Sequence, residues 1–186
     1  MMRRVSSTCR FFAAAKQGVA AVEFALILPI LVVILLATFD GGRAIAAYMK
    51  MRAATYALAS ITNQYSTIQS VDMTAILGAT TVVMAPYSSG SPAVVISQIK
   101  INNSGVSKIE WSAAQNATAR TVNSSISPPS AMVVNGSYLV LAEVSYTYVP
   151  VFGFFGTSSG ITFSDSLYVT PRSVSCVVYV PQSSSC

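Results

Sequence analysis

The stretch KQGVAAVEFALILPILVVILLATF, residues 16–39, decides how this chain is organised. After Lys16 comes an apolar run of 22 residues, Gly18 to Phe39, in which the only ionisable side chain is Glu23. Such a run would form a helix of about 33 Å, long enough to cross a bilayer core of roughly 30 Å. A carboxylate inside such a span costs about 2.5 kcal/mol or more unless a partner or the interface relieves it. The stretch therefore predicts one membrane span whose single acid has a function.

Two plainer explanations of this stretch compete with that prediction. A removable secretory signal has an apolar core of about 7–15 residues and an A-x-A-like exit. The run here is longer, contains an acid and has no convincing exit before Asp40, which disfavours a cleaved secretory signal. The other explanation is an ordinary membrane anchor with an incidental carboxylate, and composition alone leaves it open.

Composition and charge indicate an envelope protein with one modest domain behind its anchor. Of the 186 residues, 53% are hydrophobic and 9% are charged, whereas charged residues make up about 25% of typical soluble domains. The net charge is +5, but four of the eleven basic residues precede the span without any acid. By the positive-inside rule the N-terminus is expected in the cytoplasm and the C-terminal part across the membrane. No basic stripe with interleaved aromatics remains, so nucleic acid is not an expected partner.

The sequence KQG-VAAVEF-ALILP resembles the processing and assembly signal of type IV-type pilins, particularly the Flp/Tad branch. In those proteins a prepilin peptidase cuts after a glycine that closes a short basic leader, and a glutamate is fifth in the mature chain. The resemblance implies that Gly18 ends the leader, Val19 becomes the N-terminus, and Glu23 takes the fifth position before the aromatic Phe24. The new α-amino group, with a pKa near 8, would be a cation that Glu23 or a neighbouring subunit's glutamate can pair with.

The following block, FDGGRAIAAYMKMRAATYALASITNQ, resembles TadE/TadG-like pilus assembly proteins. In that family an acid, one or two glycines and an arginine follow the span, and Asp40, Gly42 and Arg43 match this pattern as a helix-extension motif. Three later blocks are similar to aromatic and Pro-Arg blocks of the family: KIEWS at 108–112, VSYTYVPVFGFF at 144–155 and ITFSDSLYVTPRS at 161–173. The resemblance implies a minor pseudopilin of the tight-adherence pilus. A major Flp pilin is much shorter, which argues against a bulk subunit.

The segment after the span predicts a continuation of the same helix, to about residue 66. Alanine, methionine and leucine are good helix formers, although Gly41 and Gly42 cost about 1 kcal/mol each relative to alanine and favour a bend there. An apolar face is predicted from residues that recur near helical spacing: Ile45, Tyr48, Met49, Tyr56 and Ala59, with Lys50 and Arg52 elsewhere on the surface.

Residues 67–186 predict an α+β domain, so that the organisation is a leader (1–18), a transmembrane helix (19–39), a periplasmic helix extension (40–66) and this domain. A short helix is predicted over 72–84, although Thr80–Val83 would also suit a strand. Strands are predicted at 93–102, 106–112, 138–149, 161–170 and 173–180, with a hairpin at Asn103-Ser104-Gly105. A single antiparallel sheet packed on the periplasmic half of the helix, as in pilins, is the economical architecture.

Catalytic chemistry finds no support in the residues. The chain has no histidine, and it has no phosphate-binding loop, dinucleotide fingerprint or paired-cysteine metal motif. The outer carboxylates, Asp72, Glu110, Glu143 and Asp165, are widely spaced and are interpreted as isolated surface acids. We therefore expect no enzyme activity, catalytic residue, cofactor, metal or small-molecule substrate, and a membrane-tethered hydrolase or binding module is a distant alternative.

The three cysteines fall into two compartments on this topology. Cys9 is in the cytoplasmic leader and is expected to stay reduced, whereas Cys176 and Cys186 are in the oxidising periplasm. Pilin-like domains often carry a C-terminal disulfide, so the resemblance favours a Cys176–Cys186 bond. A buried Cys176 with a loose terminal thiol is the alternative.

Aromatic residues are concentrated between 146 and 155, and two interpretations of them are open. As structure, Tyr146 and Tyr148 are core residues of a strand, with Phe152, Phe154 and Phe155 capping the sheet. As function, the same segment is a hydrophobic loop that docks a pilus component or the membrane.

Taken together, the residues and the resemblance predict a minor pseudopilin or assembly component of the Flp/Tad pilus, anchored by one span in the bacterial inner membrane. The implied partners are that membrane, the prepilin peptidase, other Tad/Flp pilus subunits and the secretion platform. The alternative is the same anchored fold left uncleaved, as a periplasmic scaffold of the same machinery.

Overall fold

A computed structural model describes residues 17–87, 91–153, 160–172 and 174–183. The chain divides after Gly42 into two compact units, Met1–Gly42 and Arg43–Cys186. The first helix, α1, runs from Gln17 to Thr62 and so contributes to both units. The predicted α+β class, with a long apolar helix and a small antiparallel sheet, is confirmed.

The first unit consists, in its described part, of the apolar half of α1. The helix continues through Pro29 without interruption, as membrane helices allow because neighbouring groups satisfy the freed carbonyl. Its most apolar window has a mean hydropathy of 2.9 and none of it is buried within the protein. Among the described residues, α1 is the one helix that is long and apolar enough to cross a membrane.

The second unit contains a four-stranded antiparallel sheet in the order β3-β2-β4-β5. Its strands are β2 (Ala93–Ile101), β3 (Ser107–Gln115), β4 (Tyr138–Tyr148) and β5 (Ile161–Val169). The turn between β2 and β3 is the predicted one, and Asn102 Oδ1 accepts from the backbone amides of Ser104 and Val106 at 3.0 and 2.8 Å. Gly105, at φ +78°, takes the left-handed position that glycine adopts without a steric cost.

Both faces of this sheet carry an apolar cluster. One face joins the second half of α1 and α2 (Ser70–Met84) in the main core, which contains Leu58, Ile96, Trp111 and Val144. The other face carries a smaller apolar cluster built on Ile99, Ile101, Ile109, Leu139 and Leu141, against which Ile126, Met132 and Val133 of the β3–β4 connection pack. The helix α2 starts two residues before the predicted position, where the Gln69 backbone amide donates to Asp72 Oδ2 at 3.1 Å.

The predicted apolar face of α1 in this unit was wrong except at Ala59. Ile45, Met49 and Tyr56 are 63%, 64% and 54% exposed. The buried face is instead rotated around the helix and follows the i, i+4, i+7 and i+11 positions: Ala47, Met51, Ala54 and Leu58. Small and large side chains share this face, and two of the four residues are alanines. Hydrophobic spacing alone therefore selected the wrong face of α1.

The predicted strand at 173–180 does not join the main sheet, so the expectation of a single sheet was wrong. Among the described residues of this segment, Val178–Tyr179 form a strand, β6, which pairs in parallel with β1 (Thr67–Ile68). The helix α1 ends at Thr62, before the predicted residue 66, and the chain is extended by residue 67. Two side chains of the main sheet bind this segment, although it forms no backbone ladder with that sheet. Trp111 Nε1 donates to Val177 O at 2.7 Å, and Gln98 Oε1 accepts from Val177 N at 2.7 Å.

The corrected face of α1 gives a direct test by paired substitutions. Leu58→Ala should lower the free energy of unfolding by about 2–5 kcal/mol, because it leaves a cavity in the core. Met49→Ala, at a position 64% exposed, should change it by less than about 0.5 kcal/mol. Urea unfolding of the full chain in detergent, followed by the fluorescence of the buried and only tryptophan, Trp111, measures both. Equal losses in the two variants would contradict the assigned face.

Candidate functional site

Glu23 lies on the exposed apolar surface of α1. Val19 and Ile27, one turn to either side on the same helical face, are 59% and 52% exposed, and the adjacent Phe24 is 57% exposed. None of the ion pairs within the described residues involves Glu23. In the part of the chain that the structure describes, the carboxylate thus has no ion-pair partner in its apolar strip, which is costly in lipid. The Cα atoms of Val19 and Glu23 are about 6 Å apart along the helix axis, so an amine at residue 19 would be one turn from Glu23.

Gly18 has no packing reason to be glycine in this structure. A Cβ built at Gly18 meets no heavy atom within 4 Å, and within a helix glycine costs about 1 kcal/mol relative to alanine. The same open space surrounds Gly41 and Gly42. The proposed roles of Gly18 and Val19 in processing, and of Glu23 and Phe24 in assembly, stay predictions.

The motif residues Asp40, Gly42 and Arg43 lie on α1, which runs through them as a regular helix. The boundary between the two units falls between Gly42 and Arg43. Their role as an extension motif stays a prediction.

Arg43 lines a pocket that the sequence analysis missed. The pocket has a volume of about 250 Å³, and its other lining residues are Pro86, Tyr87, Tyr146, Thr147, Tyr148 and Val149. Tyr146 and Tyr148 are 5% and 3% exposed, which confirms their interpretation as buried strand residues. Phe152 is 44% exposed, while Phe154 and Phe155 are outside the described residues. An arginine just after a span, combined with alternating tyrosines on a later strand, is the pattern that could have indicated this pocket.

Burial raises the pKa of the Tyr146 phenol above its ordinary value. The nearby Tyr87 raises this pKa further, and the Arg43 guanidinium lowers it. Because the balance favours the neutral phenol, Tyr146 stays an O–H donor at physiological pH. Arg43 thus supplies positive charge in a pocket that is otherwise neutral and aromatic.

A larger polar depression of about 740 Å³ lies on the opposite face of the sheet from α1. Arg120 and Glu143 cross its floor in a two-pronged ion pair of 2.8 and 2.7 Å. Hydrogen bonding to Glu143 raises the pKa of the Arg120 guanidinium, and both charges are thereby occupied with each other. The rest of the lining is mostly small: Ala93, Ser145, Ser164 and Ser166 are examples.

The other outer acids also have structural partners. Asp72 accepts from the start of α2, Glu110 lies 3.9 Å from Lys100, and Asp165 lies 3.8 Å from Arg52. Within the described ranges, no three potential metal ligands among His, Cys, Asp and Glu come together. These contacts explain the acids as parts of the fold.

Cys176 is disulfide-bonded and 2% exposed. Its neighbour Val177 is the residue that Trp111 and Gln98 hold, so the bond lies beside the anchored part of the C-terminal segment. Cys9 and Cys186 are both outside the described residues, and the identity of the bonded partner stays a prediction.

Comparison with known proteins adds one match. The model of the family described as TadE-like protein matches residues 18–60, which is most of α1 and less than a quarter of the chain. No curated protein and no solved structure matches. The apolar helix thus marks a single-pass membrane anchor, and the family match is consistent with a TadE-like pilus assembly protein. This similarity points to a function in the Flp/Tad pilus system, and the TadE-like family is not a known enzyme family.

We predict that the partner of Cys176 is Cys186. Peptide mapping of non-reduced protein from native membranes should find the two linked, and Cys186→Ser should lower the free energy of unfolding by about 2–3 kcal/mol in the chain-entropy view. Cys9→Ser is the matched control and should leave both the peptide map and the stability unchanged. A link between Cys176 and Cys9, or a free Cys186, would contradict the pairing.

Proposed function

We propose that this protein is a minor pseudopilin that takes part in assembly of the Flp/Tad pilus. The observation that carries the proposal is the exposed Glu23 carboxylate on an otherwise uncharged apolar surface, within the segment matched by the TadE-like family. A carboxylate that takes part in none of the ion pairs within the described residues costs free energy in lipid. A partner on another chain would recover that cost and would make association depend on this residue.

The cation that completes the pair is the new amine of Val19. Prepilin peptidase cleaves after Gly18, and the resulting α-amino group is mostly protonated at neutral pH because its pKa is near 8. An amine and a carboxylate neutralise each other well inside an apolar bundle when each would otherwise be unpaired. Between neighbouring subunits this pairing fixes their stagger along the helix axis as well as their contact.

The same proposal assigns a topology and partners. The basic leader, with Arg3, Arg4, Arg10 and Lys16, stays in the cytoplasm by the positive-inside rule, and the second unit is in the periplasm. The span lies in the bacterial inner membrane, where the prepilin peptidase, the other Tad/Flp pilus subunits and the secretion platform are its partners. The oxidising periplasm also suits the disulfide at Cys176.

The second unit is better suited to a component that assembles the pilus than to a subunit that forms its shaft. It spans Arg43–Cys186 and has its own two apolar clusters. A subunit that is mostly helix packs into a thin shaft, whereas a folded head of this size is suited to a tip, an initiation complex or the platform. The uncleaved bitopic scaffold of the same machinery is the second candidate, because its folded head would be the same.

Processing separates these two candidates. Gly18→Ala should abolish or strongly slow cleavage, because a methyl group enters a peptidase site fitted to none. The substitution should not harm the protein itself, since the added Cβ meets open space and alanine favours a helix by about 1 kcal/mol. N-terminal sequencing and intact mass of the membrane-extracted protein measure cleavage, and the mature parent chain should start at Val19.

Gly41→Ala is the matched control, because it also adds a methyl group in open space on the same helix. It should leave cleavage unchanged. An intact leader on the parent chain, in cells with an active prepilin peptidase, would reject the pseudopilin and leave the uncleaved scaffold.

Removal of the Glu23 charge tests assembly apart from folding. Glu23→Ala and Glu23→Gln should both insert at least as well as the parent, because a polar penalty is lost and the helix satisfies its own backbone. Co-purification with other pilus subunits should fall by roughly a hundredfold or more, as expected when one charge of a desolvated pair is removed. The amount of this protein in the membrane and the extent of piliation are measured on the same cells, and Trp111 fluorescence is measured on the purified variants.

Thr38→Ala is the control on the same helix, because the Thr38 hydroxyl is exposed and donates to the Ile34 carbonyl one turn earlier, at 2.8 Å. It should assemble normally. Normal piliation in both Glu23 variants would make Glu23 an incidental residue and remove the main reason for preferring a pseudopilin to a plain anchor.

A further inference from the structure

Strand β5 forms one edge of the main sheet and directs a row of backbone groups away from it. Ile101 N donates to Ser137 O at 2.9 Å. The alternation of antiparallel ladders, followed through the registers of β2 with β4 and of β4 with β5, assigns the outward groups to the even-numbered residues of β5. These residues are Thr162, Ser164, Ser166 and Tyr168. Among the described residues no backbone group pairs with them, so this edge is open.

The opposite edge of the sheet, β3, is occupied by other parts of the chain. Asn123 N donates to Ile109 O at 2.8 Å, and Ile109 N donates to Ser124 O at 3.0 Å. Further along β3, the Gln182 side chain bonds the backbone N–H and the backbone C=O of Ser112, each at 2.9 Å. Within the described ranges, the main sheet can therefore accept a further strand at β5 and not at β3.

The sequence of β5 lacks most of the features that protect exposed edges. Natural sheets use short edge strands, bulges, proline or lysine for this purpose. Strand β5 has nine residues, contains neither proline nor lysine, and pairs with β4 without a register shift. Its one charged side chain, Asp165, lies 3.8 Å from Arg52 of α1. An edge of this kind is a template for strand addition.

An apolar stripe of α1 borders the open edge. The stripe consists of three residues that are each more than half exposed: Ile45, Met49 and Tyr56. Successive helical residues are about 100° apart, so around α1 the stripe follows Tyr48 and Arg52 on the side away from the buried face. The Tyr48 and Phe163 rings meet edge-on with centroids 5.6 Å apart, and Arg52 approaches Asp165. The stripe therefore lies beyond β5, where alternate side chains of a further strand would face it.

The charges around this edge are already balanced within the protein. On the α1 side, Arg52 and Asp165 are paired with each other. On the other face of the sheet, Glu143 is opposite Ser166 in the register and is paired with Arg120. A strand without charge therefore matches the edge. Its alternate residues should be apolar where they face α1, and small and polar on the other face, where β5 exposes serines.

A second copy of β5 matches the edge less well than such a strand. The antiparallel register with the fullest overlap of β5 with its own copy would place Asp165 directly opposite Asp165. Like charges in directly opposite positions destabilise a strand pair. The centre of β5 thus disfavours self-pairing.

We propose that the open edge of β5 binds an extended, uncharged segment of another protein chain as an antiparallel fifth strand of the main sheet. The backbone of that segment pairs with the even-numbered residues of β5, and its alternate apolar side chains pack on the stripe of α1. This interaction depends neither on cleavage after Gly18 nor on Glu23.

A fluorescent peptide in which threonine and valine alternate over the length of β5 is the probe. Its dissociation constant for the full chain in detergent is measured by fluorescence anisotropy. With the valines facing α1, the threonine amides point at β5. N-methylation of the threonine amides should weaken binding by about tenfold or more, because it removes the donors. N-methylation of the valine amides should change binding by less than about twofold, since these amides point away. Equal losses, or no binding of the unmodified peptide, would overturn the proposal.

Two substitutions test the protein side of the same interaction. Ser166→Pro removes an outward N–H and no ladder bond to β4, at a kind of edge position where proline is tolerated. Met49→Asp places a charge in the stripe. Each should weaken binding of the unmodified peptide by about tenfold or more. Trp111 fluorescence checks that both variants are folded, and Met49→Asp decides if the proline variant is not. Unchanged binding by folded variants would contradict the site.

Val71→Asp is the matched control for Met49→Asp. Val71 is 80% exposed on α2, which packs on β3 at the other edge of the sheet. This variant should bind the peptide within about twofold of the parent, because the changed residue is remote from β5. Equal losses in the Val71 and Met49 variants would show a general effect of added charge and overturn the site.

Light scattering of the full chain in detergent separates a partner segment from a second copy. The parent chain and Ser166→Pro should have the same mass, because the edge does not pair with itself. A dimer of the parent chain that is lost in Ser166→Pro would assign the edge to a second copy and overturn the proposal.

Discussion

One uninterrupted helix has to suit two environments, and the rest of the chain depends on this constraint. The first half of α1 exposes large apolar side chains around its whole circumference, as a lipid-facing helix does. Its second half buries one face, which includes Ala47, Met51, Ala54 and Leu58. Continuous backbone hydrogen bonding makes both halves possible, because a helix satisfies its own amides in lipid and in a protein core alike.

The C-terminal segment closes the second unit through a few adjacent contacts. Val177 is hydrogen-bonded through both its backbone groups to the buried side chains of Trp111 and Gln98, and Cys176 beside it is disulfide-bonded. The next two residues pair with Thr67–Ile68 and so fix the chain just after α1. Buried polar atoms are costly unless bonded, and the C-terminal segment provides the partners of Trp111 Nε1 and Gln98 Oε1. These hydrogen bonds also explain why a two-residue strand is enough there.

The sequence predicted the elements well and the packing less well, for a physical reason. Strands β2, β4 and β5 were predicted within a residue at each end, because alternation and turn residues are local properties. The buried side of α1 was missed because large apolar side chains such as Ile45 and Met49 also occur on its exposed side, so hydrophobic spacing alone does not separate the two sides. The strand at 173–180 was missed as a separate element because its partners, Thr67–Ile68 and the Trp111 and Gln98 side chains, are distant in sequence.

The candidate sites also differ in whether their residues are close together in the sequence. Gly18, Val19 and Glu23 are related by short spacing on one helix, so sequence alone could nominate them. The Arg43 pocket needs Tyr87 and Tyr146, more than forty and a hundred residues away, and only a folded chain brings them together. Glu23, near the start of the apolar run, takes part in none of the ion pairs within the described residues, so on the proposed function the free energy that its carboxylate costs in lipid is recovered from a second subunit.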